Sequence, residues 1–343
     1  MFADLTITEV RPEGRDAVAI TFAGAEGFGW QPGQYLTLRA TVAGADLRRS
    51  YSIAALPEGA MCVGVKRVDG GAFSTFAQGL KPGDVVQAMP PEGRFVLHGE
   101  RDVLLIAAGS GITPMVSIAA AVLAQGGRVT LVYGNRDTGS IMFREALDAL
   151  KDRYLDRFTL VHVLSREAQD VALLNGRVTG ERVLALARAG AVDLSADGIF
   201  LCGPGGMIDD VSAALQGAGV TRDRLYFERF YTEDAPRAAP SAQAEAAARH
   251  GVAVSVVLDG VTRQFDLTEA GDSIVDAAAR AGLELPWSCK GGMCCTCRCK
   301  VVEGAAEMAV NYSLEPWEIE AGFTLACQSR PTSEKIVLDF DAA

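Results

Sequence analysis

The sequence predicts a multidomain chain: an antiparallel β-barrel, an α/β domain on a parallel sheet, and a small α+β module at the end. Three observations predict it. Residues 1–100 carry short alternating apolar segments punctuated by Gly, Pro and Asp. Residues 101–231 alternate continuous apolar runs with helical stretches. Five of the eight cysteines fall within eleven residues near the end, Cys289 to Cys299.

In the first module, Val18-Ala19-Ile20-Thr21-Phe22 and Tyr35-Leu36-Thr37-Leu38 are typical segments, and Gln31-Pro32-Gly33 and Lys81-Pro82-Gly83-Asp84 read as turns. Short strands with regular turn signals indicate an all-β barrel or sandwich. In the second, the runs 103–108, 129–133, 160–164 and 199–202 are continuous and apolar, with helical stretches such as 143–150 between them. That is the βαβ pattern of a parallel sheet buried on both faces. Residues 232–250 are mostly Ala, Pro, Glu and Ser, and read as a mobile linker able to form transient helix. From residue 251 the third module opens with an apolar run, Asp259-Gly260 and a second apolar run, a strong hairpin signal. A helix follows, with Ser273 as N-cap, Asp276 three residues on, and Gly282 ending it.

The composition is that of a globular protein: 49% hydrophobic and 22% charged over 343 residues. A net charge of −11 argues against nucleic acid or an anionic membrane as the main partner. From Gly251 onward 14 Asp and Glu face 7 Lys and Arg, so most of the excess lies in the last module. Docking on a basic patch of a partner would produce such a bias, and so would plain solubility. Residues 1–10 lack a charged n-region followed by an apolar core, so no signal peptide is expected. The uncharged stretch 103–127 is long enough to span a bilayer. Gly109-Ser110-Gly111-Ile112-Thr113-Pro114 interrupts it, so it reads as strand, tight loop and helix, and a cytoplasmic location is expected.

The cysteines carry the sharpest signal. Cys289, Cys294 and Cys297 are spaced C-x4-C-x2-C, and Cys327 lies thirty residues further on. This is the spacing that holds a plant-type [2Fe–2S] cluster. Gly291 and Gly292 suit a loop whose amide N–H groups must approach the sulfurs. A zinc site also accepts four cysteines, but usually as paired knuckles, whereas Cys327 stands alone. Cys295 is expected to point away from the cluster, and Cys299 to open the next strand as a packing residue.

Three further motifs follow one another along the chain. Arg49-Ser50-Tyr51-Ser52 offers a cation for a phosphate, an aromatic face for a planar ring and a hydroxyl for a ring nitrogen. Gly71-Ala72-Phe73-Ser74 is a Gly/Ser turn suited to phosphate. Gly109, Gly111 and Thr113 lie between a strand and a helix, where glycines let a pyrophosphate reach the helix N-terminus, with Thr113 expected as N-cap and Pro114 as first helical residue. Cys202-Gly203-Pro204 sits at the carboxyl end of a later strand, where open α/β sheets bind ligands.

In this order the motifs resemble the ferredoxin–NADP reductase family over residues 1–231, joined to a plant-type ferredoxin of β-grasp fold from residue 251. The residues alone leave FAD and FMN open; the resemblance implies FAD, with Arg49, Tyr51 and Ser52 at the flavin and Gly71 and Ser74 near its pyrophosphate. It further implies Gly109, Gly111 and Thr113 along the nicotinamide cofactor's pyrophosphate, and Cys202 and Gly203 beside the nicotinamide. Glu228 would lie near the flavin, and Phe230 stands where the family usually carries a ring-covering Tyr. Ser165-Arg166 resembles the family's pair for the 2′-phosphate, with Arg136 at the end of the preceding strand, so NADPH is expected over NADH.

The cysteine loop, Asn311-Tyr312-Ser313-Leu314-Glu315, Leu325-Ala326-Cys327-Gln328 and the ending Asp339-Phe340-Asp341 resemble more closely the reductase subunits of multicomponent monooxygenases. That resemblance implies electron delivery to a separate di-iron oxygenase acting on an aromatic-CoA ring. The chain's own histidines, His98, His162 and His250, form no E-x-x-H set that could hold two irons. A different oxygenase, a hydroxylase or a hybrid-cluster protein as acceptor would use the same path. A redox-responsive binding protein is the alternative of another class.

Overall fold

The computed structural model describes residues 2–55, 59–230 and 238–342. They fall into two compact units, Met1–Phe230 and Tyr231–Ala343, each taken by itself below. Among the described residues no helix is long and apolar enough to cross a membrane.

The first unit opens with strands β1 (Ala3–Pro12), β2 (Ala17–Ala23), β3 (Tyr35–Val42), β4 (Ala45–Ser52) and β5 (Cys62–Lys66), a short helix α1 (Ala72–Ala77) and β6 (Val85–Ala88). The six strands form one antiparallel sheet in the order β4-β3-β6-β1-β2-β5. It curls until the bridge Ile53↔Val63 links its two edges. Closing the edges removes unpaired backbone groups. The barrel interior holds Leu5, Ile20, Leu36, Ile53, Val63 and Phe73.

The same unit continues with β7 (Asp102–Ala108), α2 (Ile112–Ala124), β8 (Arg128–Asn135), α3 (Arg144–Arg153), β9 (Phe158–Leu164), α4 (Gly180–Arg188), β10 (Gly198–Gly203), α5 (Gly205–Gly217) and β11 (Leu225–Arg229). The sheet is parallel, in the order β11-β10-β7-β8-β9. Side chains alternate between its faces. Leu104, Ile106, Ile199 and Leu201 pack with α4 and α5. Leu105, Ala107, Phe200 and Cys202 pack with α2 and α3 and with Ala17, Ala19, Ala54 and Phe95 of the barrel. Helix α2 is thus wedged between sheet and barrel, which explains why every residue from Ile112 to Leu123 is buried. A helix apolar all round must be enclosed all round. The uncharged stretch is accordingly strand, turn and helix.

The helix start differs from the expectation. Residues Gly109–Gly111 wind as a 3-10 turn directly into α2, whose N-cap is Gly111. Thr113 is therefore inside the first turn, and its Oγ1 donates to the Ser110 carbonyl at 3.0 Å instead of capping an N–H. Pro114 is tolerated there because first-turn N–H groups need no intrahelical acceptor.

The second unit comprises α6 (Ala242–His250), β12 (Val252–Leu258), β13 (Val261–Leu267), α7 (Ile274–Arg280), β14 (Arg298–Glu303), β15 (Ala306–Met308), α8 (Pro316–Glu320), β16 (Phe323–Leu325), β17 (Ser329–Pro331) and β18 (Lys335–Asp339). Its main sheet runs β13-β12-β18-β14-β16, with β12 and β18 parallel in a β-grasp arrangement, and β15 pairs with β17. The hairpin turns at Asp259 (φ 53°) and Gly260 (φ 70°), the two left-handed positions that Asp-Gly supplies. Helix α7 has the expected capping box, with Ser273 Oγ accepting from the Asp276 N–H at 3.2 Å.

The stretch read as linker needs a correction from residue 242 on. Ser241 caps α6, and Ala244, Ala247 and Ala248 are buried, the last two in this unit's core, so the helix is packed, not transient. The earlier part of that stretch, up to 237, lies outside the described residues.

Candidate functional site

The cysteine loop lies between α7 and β14, held open by two non-glycine residues with left-handed backbone, Lys290 (φ 48°) and Cys295 (φ 60°). Lys290 is fixed by an ion pair to Asp276 at 2.7 Å and sits over the Trp287 ring. At Gly292 (φ 74°) a Cβ would come within 2.8 Å of the Val310 carbonyl, so the loop passes where only glycine fits. Cys289 Sγ accepts from the N–H groups of Gly291 (3.3 Å) and Cys294 (3.5 Å), and Cys297 Sγ from that of Cys327 (3.5 Å).

The four sulfurs form two couples. All four thiols are free, and within each couple, Cys289 with Cys294 and Cys297 with Cys327, the neighbouring sulfur acts on the thiol. The bond from Cys294, helped by the two N–H groups, draws the Cys289 thiol down to about 7 against its burial. Cys294 moves up, through its bond to Cys289 and through burial. Cys327 is likewise lowered, first by Cys297, while Cys297 is raised. Each couple therefore favours one thiolate. Zinc would need its ligands around one point. Two adjacent sulfur couples, each supplied with N–H donors, suit two bridged irons. Cys295 turns its thiol to Ser313 Oγ at 3.1 Å, and Cys299 is buried in β14.

In the first unit, β4 brings up Arg49, Tyr51 and Ser52, paired with Leu38, Leu36 and Tyr35 of β3. Arg49 and Tyr51 are half-buried, and the Tyr51 ring lies 5.7 Å from that of Phe73 in α1. Ser74 Oγ donates to the Gly71 carbonyl and accepts from the Val68 N–H, each at 3.1 Å. A Cβ on Gly71 would come within 2.5 Å of that hydroxyl, so the turn depends on glycine. The first-turn N–H groups of α1 have no intrahelical acceptor and suit a phosphate.

Ser52 donates to Glu228 Oε2 at 3.4 Å, joining β4 to β11. Glu228 lies in register with Cys202 on β10. Cys202 is fully buried; burial, reinforced by Glu228, pushes its thiol well up, so it stays neutral. Phe230 packs against the same core as Cys202. The structure thus brings Ser52, Cys202, Glu228 and Phe230 to the boundary of barrel and sheet.

The 109–111 turn faces Cys202. A Cβ on Gly111 would fall 2.1 Å from the Cys202 carbonyl, and Gly109 adopts φ 55°. The Tyr133 hydroxyl donates to the Gly109 carbonyl at 3.0 Å and accepts from the Met142 N–H, which pins the turn from below. Gly203 ends β10 just before α5. At the end of β8, Asn135 buries both polar atoms of its amide outside hydrogen-bond geometry, close enough to Tyr133 to act on its hydroxyl. Ser165 and Arg166 follow β9 and are exposed; their N–H groups bond the carbonyls of Asn135 and Arg136. Arg136 itself is ion-paired to Asp16 of the barrel at 2.6 Å, so it is not the free cation expected for a phosphate.

Sequence reading missed Asp16 and Lys66. The Lys66 ammonium lies 3.8 Å from Asp16 and 3.7 Å from the Cβ position of Gly109. Lys66 belongs to a strand remote in sequence from the Gly109 turn, and no local signal could have found it. Gln328 was also missed as an individual; its amide reaches the Cys327 sulfur.

Comparison with known proteins agrees with this geometry. An oxidoreductase FAD-binding domain model matches residues 7–97, an oxidoreductase NAD-binding domain model residues 105–213, and a 2Fe-2S iron–sulfur cluster binding domain model residues 256–332. The E subunit of 1,2-phenylacetyl-CoA epoxidase from Escherichia coli (strain K12) is 42% identical, across 99% of this chain and 98% of its own. The ferredoxin reductase component of 3-ketosteroid-9-alpha-monooxygenase from Rhodococcus rhodochrous is 35% identical, across 98% and 96%. A solved phthalate dioxygenase reductase shares the fold, with a TM-score of 0.60 at 23% identity over 99% of this chain and 98% of that one. The chain belongs to the family of oxygenase reductase components that join an FAD-binding domain, an NAD-binding domain and a 2Fe-2S domain in one polypeptide.

Proposed function

We propose that this reductase takes electrons from NADPH and delivers them to the di-iron oxygenase of a phenylacetyl-CoA epoxidase. Residues 1–100 would hold FAD, residues 101–231 the nicotinamide cofactor, and residues 251–343 the cluster on Cys289, Cys294, Cys297 and Cys327. The observation that carries the acceptor is the 42% identity to the E subunit, sustained over almost the full length of both chains. NADPH is supported by Arg166, an exposed cation at the end of β9 whose side chain has no hydrogen-bond or ion-pair partner among the described residues.

Together the bound groups convert a two-electron hydride donor into a source of single electrons. The residues here bind and orient. Arg49 would neutralise a flavin phosphate, and the Tyr51 face would support the ring. Ser52, whose hydroxyl donates to Glu228, would stand beside the flavin ring. Cys202, kept neutral by burial, would wall the nicotinamide side without adding a thiolate there.

The test is the absorption spectrum of the purified protein, followed by anaerobic titration with NADPH and with NADH. Flavin and iron–sulfur bands that bleach preferentially with NADPH are expected. Rapid reduction of a purified phenylacetyl-CoA epoxidase oxygenase, and slow reduction of a 3-ketosteroid monooxygenase, would support the acceptor; the reverse order would replace it.

A further inference from the structure

Gln328 follows the fourth cysteine and is buried, at 4% exposure. A buried primary amide must place two N–H donors and a carbonyl. Its Nε2 donates to the Lys290 carbonyl at 2.7 Å and to Cys327 Sγ at 3.6 Å. Both neighbours are acceptors, which fixes which way the amide points. The backbone of Gln328 is already occupied: its N–H bonds the Leu325 carbonyl at 2.8 Å and its carbonyl takes the Ala309 N–H at 2.9 Å. The turn after Cys327 therefore stands without this side chain, and the amide's two bonds are an addition to it.

The position is also set by packing. Gly292, in the cysteine loop, lacks a side chain where a Cβ would lie 3.3 Å from Gln328 Cγ. The glutamine stem fills that space, and its amide then spans from the residue after Cys289 to the sulfur of Cys327. One side chain thus links the cysteine loop at Lys290 to Cys327. Elsewhere in the loop the N–H groups that reach Cys289 and Cys297 come from the backbone and are fixed by its path. An amide on a side chain can be exchanged without redrawing that path.

Adding one electron to an iron–sulfur cluster increases the negative charge on its sulfurs. An N–H dipole aimed at one of them stabilises the reduced form more than the oxidised form, and so raises the potential. At a site shielded from solvent the dipole is weakly screened. We propose that Gln328 is a positioning residue that raises the reduction potential of the cluster through its hydrogen bond to Cys327. This rests on the reading of Cys327 as a cluster ligand.

The test uses the full-length protein with Gln328→Met, which keeps the length and loses both donors, and Gln328→Glu, which keeps the shape and replaces the amide by a carboxylate. The wild-type visible and EPR spectra come first: absence of a [2Fe–2S] signal there defeats the ligand reading and not merely the role of Gln328. With the cluster present, an EPR-monitored redox titration is expected to show both variants harder to reduce. The expected change is about tenfold in the one-electron equilibrium, a shift of about 59 mV, and larger for Glu than for Met. Variants that retain the cluster at the wild-type potential overturn the proposal. Variants that both lose the cluster also overturn it, because Gln328 would then hold the site and not tune it.

Discussion

Arg166 and Arg136 end neighbouring strands, yet their surroundings differ. Arg136 is neutralised by Asp16, while the Arg166 side chain is exposed and unpartnered among the described residues. A charge-assisted hydrogen bond contributes roughly 1.5–3 kcal/mol. Arg166→Ala should therefore lower kcat/KM for NADPH by about ten- to a hundredfold and leave that for NADH within about twofold, as steady-state assays with both cofactors would show. An equal fall with both would remove Arg166 from 2′-phosphate recognition. Ser52→Ala should slow reduction of the bound flavin by about tenfold in stopped-flow traces, the weight of one neutral hydrogen bond. Arg166 was legible through the resemblance of Ser165-Arg166, at a strand end, to the family's 2′-phosphate pair. It hid Asp16, whose partner Arg136 is 120 residues away, and residue type says nothing about a pairing made only by the fold.

Elements were legible where local chemistry decides them. Asp259-Gly260 and Ser273 with Asp276 specify their turn and cap by backbone preference alone, and the hairpin and α7 stand where those residues put them. Helix α6 was legible as helix-forming but not as packed, because burial of its alanines depends on a core built from later residues. Ala248→Glu should expose that dependence. A carboxylate at a position 2% exposed would cost roughly 3 kcal/mol or more. Loss of cluster absorbance on heating should then begin several degrees lower than in the wild type. The start of α2 was misjudged because the 3-10 turn that precedes it is dictated by contact with β10, not by Thr113. Gly111→Ala would press a methyl into the Cys202 carbonyl, so nucleotide binding by calorimetry should weaken together with thermal stability. Weaker binding at unchanged stability would instead point to a direct role for that N–H in holding phosphate.

At the scale of the molecule, the cofactor chemistry is divided between two separately compact units, and their charges are unequal. The chain carries −11 overall, and the stretch from Gly251 holds 14 acidic against 7 basic residues. An acidic carrier that meets a basic patch on its oxygenase is drawn to it by long-range attraction, which shortens as ionic strength rises. If the acid serves docking, the second-order rate of oxygenase reduction should fall by about tenfold or more between low and roughly 0.5 M salt. Reduction of the flavin at saturating NADPH, a step that needs no oxygenase, supplies the control within the same experiment. A salt dependence confined to the oxygenase step would assign the excess charge to partner recognition. A rate indifferent to salt would assign it to solubility, and the docking surface would then have to be sought among apolar groups, with Trp317 and Ile319, exposed on α8, the first to substitute.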